Sequence, residues 1–370
     1  MKNRIQDIKI SGIRSFTAIA SQIEDMRYLT IGEPDFDTPE IIKEAAKEAL
    51  DQNLTHYPPA LGIDALREKI AAYENTLFGE SLKKDNIIIT NGATEGLVLA
   101  MWTLLSEGQS IVQPTPGYTL YQSQVHLANG QVKALDISKN NFQIDEASLR
   151  ALVDEETTAI LLTSPNNPTG QVLTKDSLDA PKLHAILDDV YNVFVYDTKL
   201  HSLREHESLR DRLIVVQAFS KSHAMTGWRL GYVVAPTPLI DEMHKLHQNL
   251  MAGVNSIAQY AALKAFDVDN SYMREEYIQR RDYVYNRLVD MGMDVLKPEG
   301  AFYIFPNIEK YGMSSYDFCL KCAQDAKVAL IPGVYFGSDA YVRLSYCYSM
   351  DVLKESLDRL EMFVESLDKA

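Results

Sequence analysis

Short apolar runs alternate along this chain with longer amphipathic segments, and that alternation limits the fold more than any other feature. Asn86-Ile-Ile-Ile-Thr90, Ser110-Ile-Val-Gln113, Thr158-Ala-Ile-Leu-Leu-Thr163, Leu183-His-Ala-Ile-Leu187 and Leu213-Ile-Val-Val216 read as buried strands. Ala65 to Phe78 and Gly92 to Leu105 read as helices. Pro39 to Asp51 reads as a helix opened by Thr38 as N-cap, with Pro39 at its first position. Strands alternating with helices call for a mostly parallel sheet covered on both faces, an α/β architecture. Tyr272 to Met291 is a long polar helix leading toward a smaller α+β unit. That unit holds strands Gly300 to Pro306 and Ala340 to Cys347 and a closing helix, Asp351 to Asp368. With no repeat or low-complexity linker, the small unit is expected to draw on both chain ends. Residues 1–45 form an arm and part of the small domain, 46–280 the large domain, and 281–370 the rest of the small one.

The 370 residues, 46% hydrophobic, suffice for a large core and a second lobe. The net charge of -15 repels nucleic acid and anionic lipid, so neither is an expected partner. A local cationic pocket for small anions remains compatible with it. The three cysteines, Cys319, Cys322 and Cys347, are too few and odd in number for a disulfide framework, which points to a reducing compartment. Cys319-Leu-Lys-Cys322 has CxxC spacing, but no second Cys or His pair follows at metal-site spacing. The surrounding helical periodicity makes both ordinary helix residues, and no metal is expected. Met1 to Ile10 has no apolar signal core, and no apolar run reaches the ~18 residues a bilayer span needs, so the expected location is cytoplasmic.

Several strand ends carry chemistry. Asp211 to Ala218 runs into Ala218-Phe-Ser-Lys221, which sets a lysine at the mouth of the sheet. Arg229 follows eight residues on, before the apolar Leu230 to Ala235. A Schiff-base lysine with an arginine for a phosphate is what pyridoxal phosphate (PLP) chemistry needs. Asn91-Gly92-Ala93-Thr94-Glu95-Gly96 joins a strand to a helix start, whose free N–H groups suit a phosphate. Pro114-Thr-Pro116-Gly117-Tyr118-Thr-Leu-Tyr121 is a proline-fixed loop whose aromatics can stack on a flat ring. Ser164-Pro-Asn-Asn167-Pro-Thr-Gly170 is a turn by composition. Asp188-Asp189-Val190-Tyr191 ends another strand with a carboxylate suited to a pyridine nitrogen, and Asp197, after Val193-Phe-Val-Tyr196, competes with Asp188 for that place. Tyr341 to Tyr346 is an apolar strand carrying Arg343. A buried arginine needs an anion, either a structural ion-pair partner or a ligand.

From about residue 28 to the C-terminus the chain resembles the fold-type I PLP enzymes, specifically the class I/II aminotransferases. Ser220-Lys-Ser-His-Ala-Met-Thr-Gly-Trp-Arg-Leu-Gly231 and Lys297-Pro-Glu-Gly-Ala-Phe-Tyr-Ile-Phe305 look most like the bacterial aromatic and N-acetyl-diaminopimelate aminotransferase group. The resemblance implies pyridoxal 5′-phosphate as cofactor and a homodimer with shared sites. It makes Lys221, Asp188 and Tyr191 catalytic. Lys221 binds the cofactor and carries the proton, and Asp188 pairs with the pyridine nitrogen. Asn167 and Tyr191 serve the phenolate oxygen, and Tyr118, or failing it Tyr121, covers the ring. Gly92, Ala93, Thr94 and Arg229 hold the phosphate. Ser220 joins them because Ala218 stands where many members carry a hydroxyl. Tyr57, in His56-Tyr-Pro-Pro-Ala-Leu-Gly62, reaches the neighbouring subunit's phosphate. Arg343 binds the substrate α-carboxylate, with Asn167 and with Gly32 of Thr30-Ile-Gly-Glu-Pro-Asp-Phe36 beside it. Arg14 precedes the resemblance and is left unassigned, and His223 is a neighbour without a fixed tautomer.

The activity implied is ping-pong transfer of an amino group from an L-amino acid, aromatic or N-acetyl-diaminopimelate-like, to a 2-oxo acid such as 2-oxoglutarate. A C–S β-lyase on this fold shares every motif. A PLP-binding regulator would carry a DNA-binding segment, for which the first 30 residues are too short. One departure stands out. Between Gly170 and Asp188 the chain is several residues shorter than the family, near Asp179-Ala180-Pro181, where a helix normally covers the sheet. The shortening is expected to expose apolar strand surface.

Overall fold

The computed structural model describes residues 8, 10–178 and 183–368. Seven strands form the central sheet in the order Ile87–Thr90, Gly231–Val234, Leu213–Ala218, His184–Asp188, Thr157–Thr163, Ser110–Thr115 and Gln131–Asp136. All neighbours from Leu213–Ala218 to Gln131–Asp136 pair in parallel. Gly231–Val234 is antiparallel to both of its neighbours. This is the expected α/β fold, with strand ends moved by a residue or two from the apolar runs.

The period-2 alternation of a strand explains the two faces. Ile88, Ile111, Leu161, Ile186, Ile214 and Val216 share a core with Leu97 and Met101 of helix Gly92–Leu104 and Ile240 and Met243 of helix Thr237–Leu250. Ile87, Ile89, Val112, Ile160, Leu162, Leu187 and Val215 lie in the other core, with Leu66 and Ile70 of helix Asp64–Phe78. Because both faces are buried, these strands read as continuous apolar runs.

Around the chain ends, Arg27–Tyr28 pairs in parallel with Val328–Ala329, so early and late segments do meet. Val342–Ser345 lies between Ile331–Pro332 and Tyr303–Ile304, antiparallel to both. Helix Ser271–Asp290 leads into this region and helix Met350–Asp368 closes it.

Some expectations change. The strand read as Gly300 to Pro306 shrinks to Tyr303–Ile304, and Gly300 makes only an isolated bridge to Val195. Thr38 does not cap a helix. That helix spans Glu40–Asp51, with Pro39 at the cap position rather than the first turn. The Thr38 hydroxyl instead donates to the Ala224 carbonyl at 2.7 Å and accepts from Trp228 Nε1 at 3.0 Å, tying the N-terminal loop to the lysine segment.

The shortened segment contains a single 3-10 turn, Asp176–Leu178, among its described residues, and Asp179-Ala180-Pro181 lie outside them. Contrary to expectation, the strand beneath is not exposed. Ala185, Ile186 and Leu187 are buried, and Ala185 and Leu187 share a continuous core with Phe142, Ile144, Leu149, Leu203 and Leu209. The strand is therefore part of the buried core even though the described residues of the shortened segment contain no full helix.

Candidate active site

Parallel strands ending at one edge leave a crevice there, and their end residues face into it. In this chain the crevice is a cavity of about 690 Å³. It is lined by Ala93 and Thr94 after the first strand, Tyr118 and Tyr121 after Ser110–Thr115, and Asn167 after Thr157–Thr163. Asp188 and Tyr191 lie at the end of His184–Asp188, and Ser220, Lys221 and Arg229 follow Leu213–Ala218. Gly32, Tyr303 and Arg343 close the opposite wall.

Lys221 sits in the short helix Phe219–Ser222, and its Nζ donates to the Gly32 carbonyl at 2.5 Å. Burial brings its ammonium down to about 8, because charge is costly to hold away from water. A lysine of this kind yields its neutral, nucleophilic amine more readily than an exposed lysine does.

Arg229 adopts a left-handed φ of 54° at the end of the turn Thr226–Trp228 and donates to the Thr226 carbonyl at 2.9 Å. Its guanidinium lies against Gly92, where an added Cβ would come within 2.7 Å of Nη2. Gly92 also has φ 72°, a region that costs other residues about 1–2 kcal/mol. The left-handed backbone is what favours glycine there, and an added Cβ would also push the guanidinium aside. The helix Gly92–Leu104 opens at this point, so the first-turn N–H groups and a guanidinium converge on one corner. Glu95 braces the turn, accepting from the Asn91 N–H at 2.5 Å and pairing with buried His247 Nδ1 at 2.7 Å. Sequence reasoning missed this brace. Glu95 was visible as a first-turn acid, but nothing local pointed to His247.

Asp188 is the buried carboxylate of the cavity lining. Its Oδ2 accepts from the Tyr121 hydroxyl at 2.7 Å, which also meets Thr163 Oγ1 at 2.7 Å. Its Oδ1 is buried with no hydrogen-bond partner. Burial pushes the carboxyl up to about 6. Asp189, one residue on, faces the other side of the sheet, as alternation demands, where burial pushes it up to about 7 near Arg204 and Glu74. Asp197 does not line the cavity; it pairs with Arg281 Nη2 at 2.7 Å. The two tyrosines of the proline loop also separate. Tyr121 is spent on Asp188, and Tyr118 lies edge-on to it with ring centroids 5.5 Å apart.

Arg343 is 3% exposed and makes no ion pair among the described residues. It donates to Asn167 Oδ1 at 3.0 Å and to the Thr30 carbonyl at 2.6 Å, between the rings of Tyr303 and Phe336. Its Nε has no partner. The structural ion pair is thus not what holds it, and a buried cation without a counter-anion is unfavourable until an anion binds. Tyr303, another residue missed from the sequence, bonds the Tyr191 hydroxyl at 2.8 Å. A Cβ on Gly32 would overlap the Tyr303 hydroxyl, so glycine permits that approach.

Other expected residues lie apart. Tyr57 is 92% exposed and outside the cavity lining. His223 bonds Ser222 Oγ and the Ala265 carbonyl, and burial pushes it down to about 4, so it is a neutral neighbour. Cys319 and Cys322 are buried within helix Ser315–Asp325. Among the described residues no helix is long and apolar enough to cross a membrane.

Comparison with known proteins decides what the crevice belongs to. The family described as aminotransferase class I and II matches residues 24–360. The chain belongs to the class I and II aminotransferases. It is 40% identical to a probable N-acetyl-LL-diaminopimelate aminotransferase of Bacillus subtilis, covering 98% of this chain and 95% of the relative. It is 39% identical to aromatic-amino-acid aminotransferase 2 of Thermococcus litoralis, covering 98% and 97%. The solved aspartate aminotransferase of Thermotoga maritima superposes with a TM-score of 0.95 at 36% identity, covering 99% of this chain and 100% of that one. The fold is therefore fold-type I, and the aminotransferase is PLP-dependent, transferring amino groups between amino acids and 2-oxo acids.

Three features of the aminotransferase fit that cofactor. Asp188 Oδ1 is a buried acceptor lacking the donor that a pyridine N–H would supply. The Gly92 turn and Arg229 make an anion corner that a side chain at Gly92 would fill. Lys221 has its amine in the same cavity, at a reduced pKa.

Proposed function

We propose that the aminotransferase divides the work of the site as follows. Arg229, Ser220 and the N–H groups of Ala93 and Thr94 hold the cofactor's phosphate. Asp188 holds its ring nitrogen, Asn167 and Tyr191 its phenolic oxygen, and Tyr118 covers its ring. When bound, the cofactor supplies an aldehyde for amines and an electron-withdrawing pyridinium ring. Lys221 is the covalent anchor. With the cofactor bound, its neutral amine would move the proton between the substrate Cα and the cofactor's C4′. Tyr121 keeps Asp188 oriented, and Tyr303 does the same for Tyr191. Arg343 binds the α-carboxylate of amino donor and 2-oxo acceptor alike, beside Gly32. The observation that carries this reading is the pairing of two unsatisfied groups in one cavity, the Asp188 oxygen and the buried Arg343 cation.

The reading extends to the assembly. Residues 46–280 form the large domain, and 1–45 with 281–370 the small one, which carries Gly32 and Arg343. The enzyme works in the cytoplasm as a homodimer, with Tyr57 serving the neighbouring subunit's phosphate. Tyr57 is 92% exposed and outside its own chain's cavity lining, so its ring is accessible to a second subunit, which supports that role.

A panel of amino donors with 2-oxoglutarate tests the activity. Aromatic donors should turn over, and release of pyruvate and ammonia from cysteine conjugates without an acceptor would point instead to lyase chemistry. Arg343→Lys should raise KM for every donor and acceptor by roughly tenfold or more. Lysine cannot reproduce a bidentate charged contact worth about 1.5–3 kcal/mol. An unchanged KM would remove Arg343 from the α-carboxylate. For the dimer, chains carrying Tyr57→Phe with Lys221→Ala are mixed with wild-type chains. The only working site in each hybrid should bind PLP more weakly than in hybrids made with Lys221→Ala alone. Equal affinity in the two hybrids, or a fully active monomer, would overturn the shared site.

A further inference from the structure

His247 is fully buried on helix Thr237–Leu250, which lends no residue to the cavity lining. That helix packs against helix Gly92–Leu104, whose start forms the anion corner. Among the described residues the His247 ring makes one polar contact, from Nδ1 to Glu95 Oε1 at 2.7 Å, and its Nε2 has no partner. A carboxylate only accepts, so Nδ1 carries the proton of that contact. A leucine would fill the same place without burying an unpaired nitrogen, so the imidazole carries a cost that packing alone does not explain. Glu95 is the other half of the puzzle. It is an acid in the first turn of a helix whose start attracts anions. Such a start has four N–H groups without intrahelical acceptors, here those of Asn91, Gly92, Ala93 and Thr94. Glu95 Oε2 takes the first, at 2.5 Å. Uncharged groups hold the turn as well, Thr90 Oγ1 donating to the Gly92 carbonyl and Gln124 Nε2 to the Thr94 carbonyl, each at 3.0 Å. Ala93 and Thr94 line the cavity, and Glu95 does not.

We propose that His247 is a positioning residue for the cofactor's phosphate: it holds the Glu95 carboxylate on the Asn91 N–H and so keeps that charge out of the anion corner. This rests on the aminotransferase reading with Arg229 and the Gly92 turn at the phosphate. Both Glu95 oxygens are occupied, one by the backbone and one by the imidazole. Without the imidazole, Oε1 would lose its donor, and the side chain would be free to turn toward the N–H groups beside it. A carboxylate and a phosphate are drawn to the same donors, so Glu95 would then compete with the cofactor. The pair thus meets two demands at one helix start. Glu95 satisfies the N–H of the cap residue, and those of Gly92, Ala93 and Thr94 are left for an external anion.

The test uses the full-length protein, freed of cofactor and titrated with PLP and with pyridoxal, which has the same aldehyde but no phosphate. The ratio of the two Kd values isolates the phosphate. In His247→Leu the PLP Kd should rise about tenfold while the pyridoxal Kd holds. His247→Phe, a ring of similar shape with no donor, should show the same loss, so the test does not depend on one variant folding. His247→Asn, whose amide donates from near the place of Nδ1, should recover most of it. Adding Glu95→Gln to His247→Leu should also recover it, because the competing charge is gone. The phosphorus NMR resonance of bound PLP should move in His247→Leu and return in both recovered variants. Equal weakening of PLP and pyridoxal, or no weakening of either, would make His247 a packing residue and overturn the proposal. A double variant weaker than His247→Leu would overturn it too, since Glu95 would then be helping the phosphate rather than competing with it. Failure of the underlying reading looks different, because wild-type protein would then bind PLP no more tightly than pyridoxal.

Discussion

Lys221→Ala should lower transamination by about 10⁴-fold or more, because one substitution removes both the covalent anchor and the proton carrier. The variant should still bind PLP, weakly, through the anion corner at Gly92 and Arg229 and the carboxylate of Asp188. Borohydride treatment followed by denaturation should leave cofactor on wild-type protein and none on the variant. The reduced pKa of Lys221 adds a pH signature. Only the neutral amine attacks, and burial brings the ammonium down to about 8. Covalent loading of cofactor-free protein should therefore accelerate about tenfold per pH unit from about pH 6 and level off above about 8. Near-normal turnover in Lys221→Ala, or a loading rate still climbing steeply above pH 9 or so, would contradict the assignment.

Asp188→Ala should cost turnover far more than cofactor affinity, by about 10²–10⁴-fold in kcat. Asp197→Ala should stay active, since that carboxylate pairs with Arg281 outside the cavity. The reverse pattern would relocate the ring-nitrogen partner. A second consequence concerns stability. Burial raises the Asp188 carboxyl from 3.8 to about 6 in the protein without cofactor. The folded chain then holds a proton that the unfolded chain has released between about pH 4 and 6, so this group lowers stability as pH rises through that window. Cofactor-free Asp188→Asn should gain on wild type across it, by at most about 3 kcal/mol, and lose the advantage below about pH 4. PLP should reverse the ranking, because a cationic ring nitrogen favours the carboxylate. Parallel melting curves for the two proteins across that pH range, with and without PLP, measure this. A difference independent of pH would show that Asp188 is not held protonated by burial.

Much of the fold and site was legible because the informative features are local. A fully buried parallel strand must read as a short apolar run, and its end must carry a polar turn, so Asp188, Asn167, Lys221 and the Gly92 turn each announced themselves within a few residues. Two local readings failed. Thr38 had the composition of a helix cap, yet its hydroxyl was drawn to Ala224, on a segment far away in sequence. The shortened stretch before Asp188 promised an exposed strand, yet Ala185, Ile186 and Leu187 are buried in the folded core. In both cases a tertiary contact outweighed a local preference.

The sequence by itself determined the α/β class, the family, the cofactor and which residues stand at the strand ends, because strand periodicity, turns and contiguous motifs act between near neighbours. Only the tertiary structure decided how those residues are used. Asp188 and Tyr121 are 67 positions apart, Tyr191 and Tyr303 are 112, and Arg343 and Asn167 are 176. No sequence window spans such distances. Each pair meets because parallel strands deliver their ends to one edge of the sheet while Val342–Ser345 brings the late chain against it. The same closure turns Arg343 into a buried cation awaiting an anion, and it sets Arg14, which no motif marked, on the wall of the cavity.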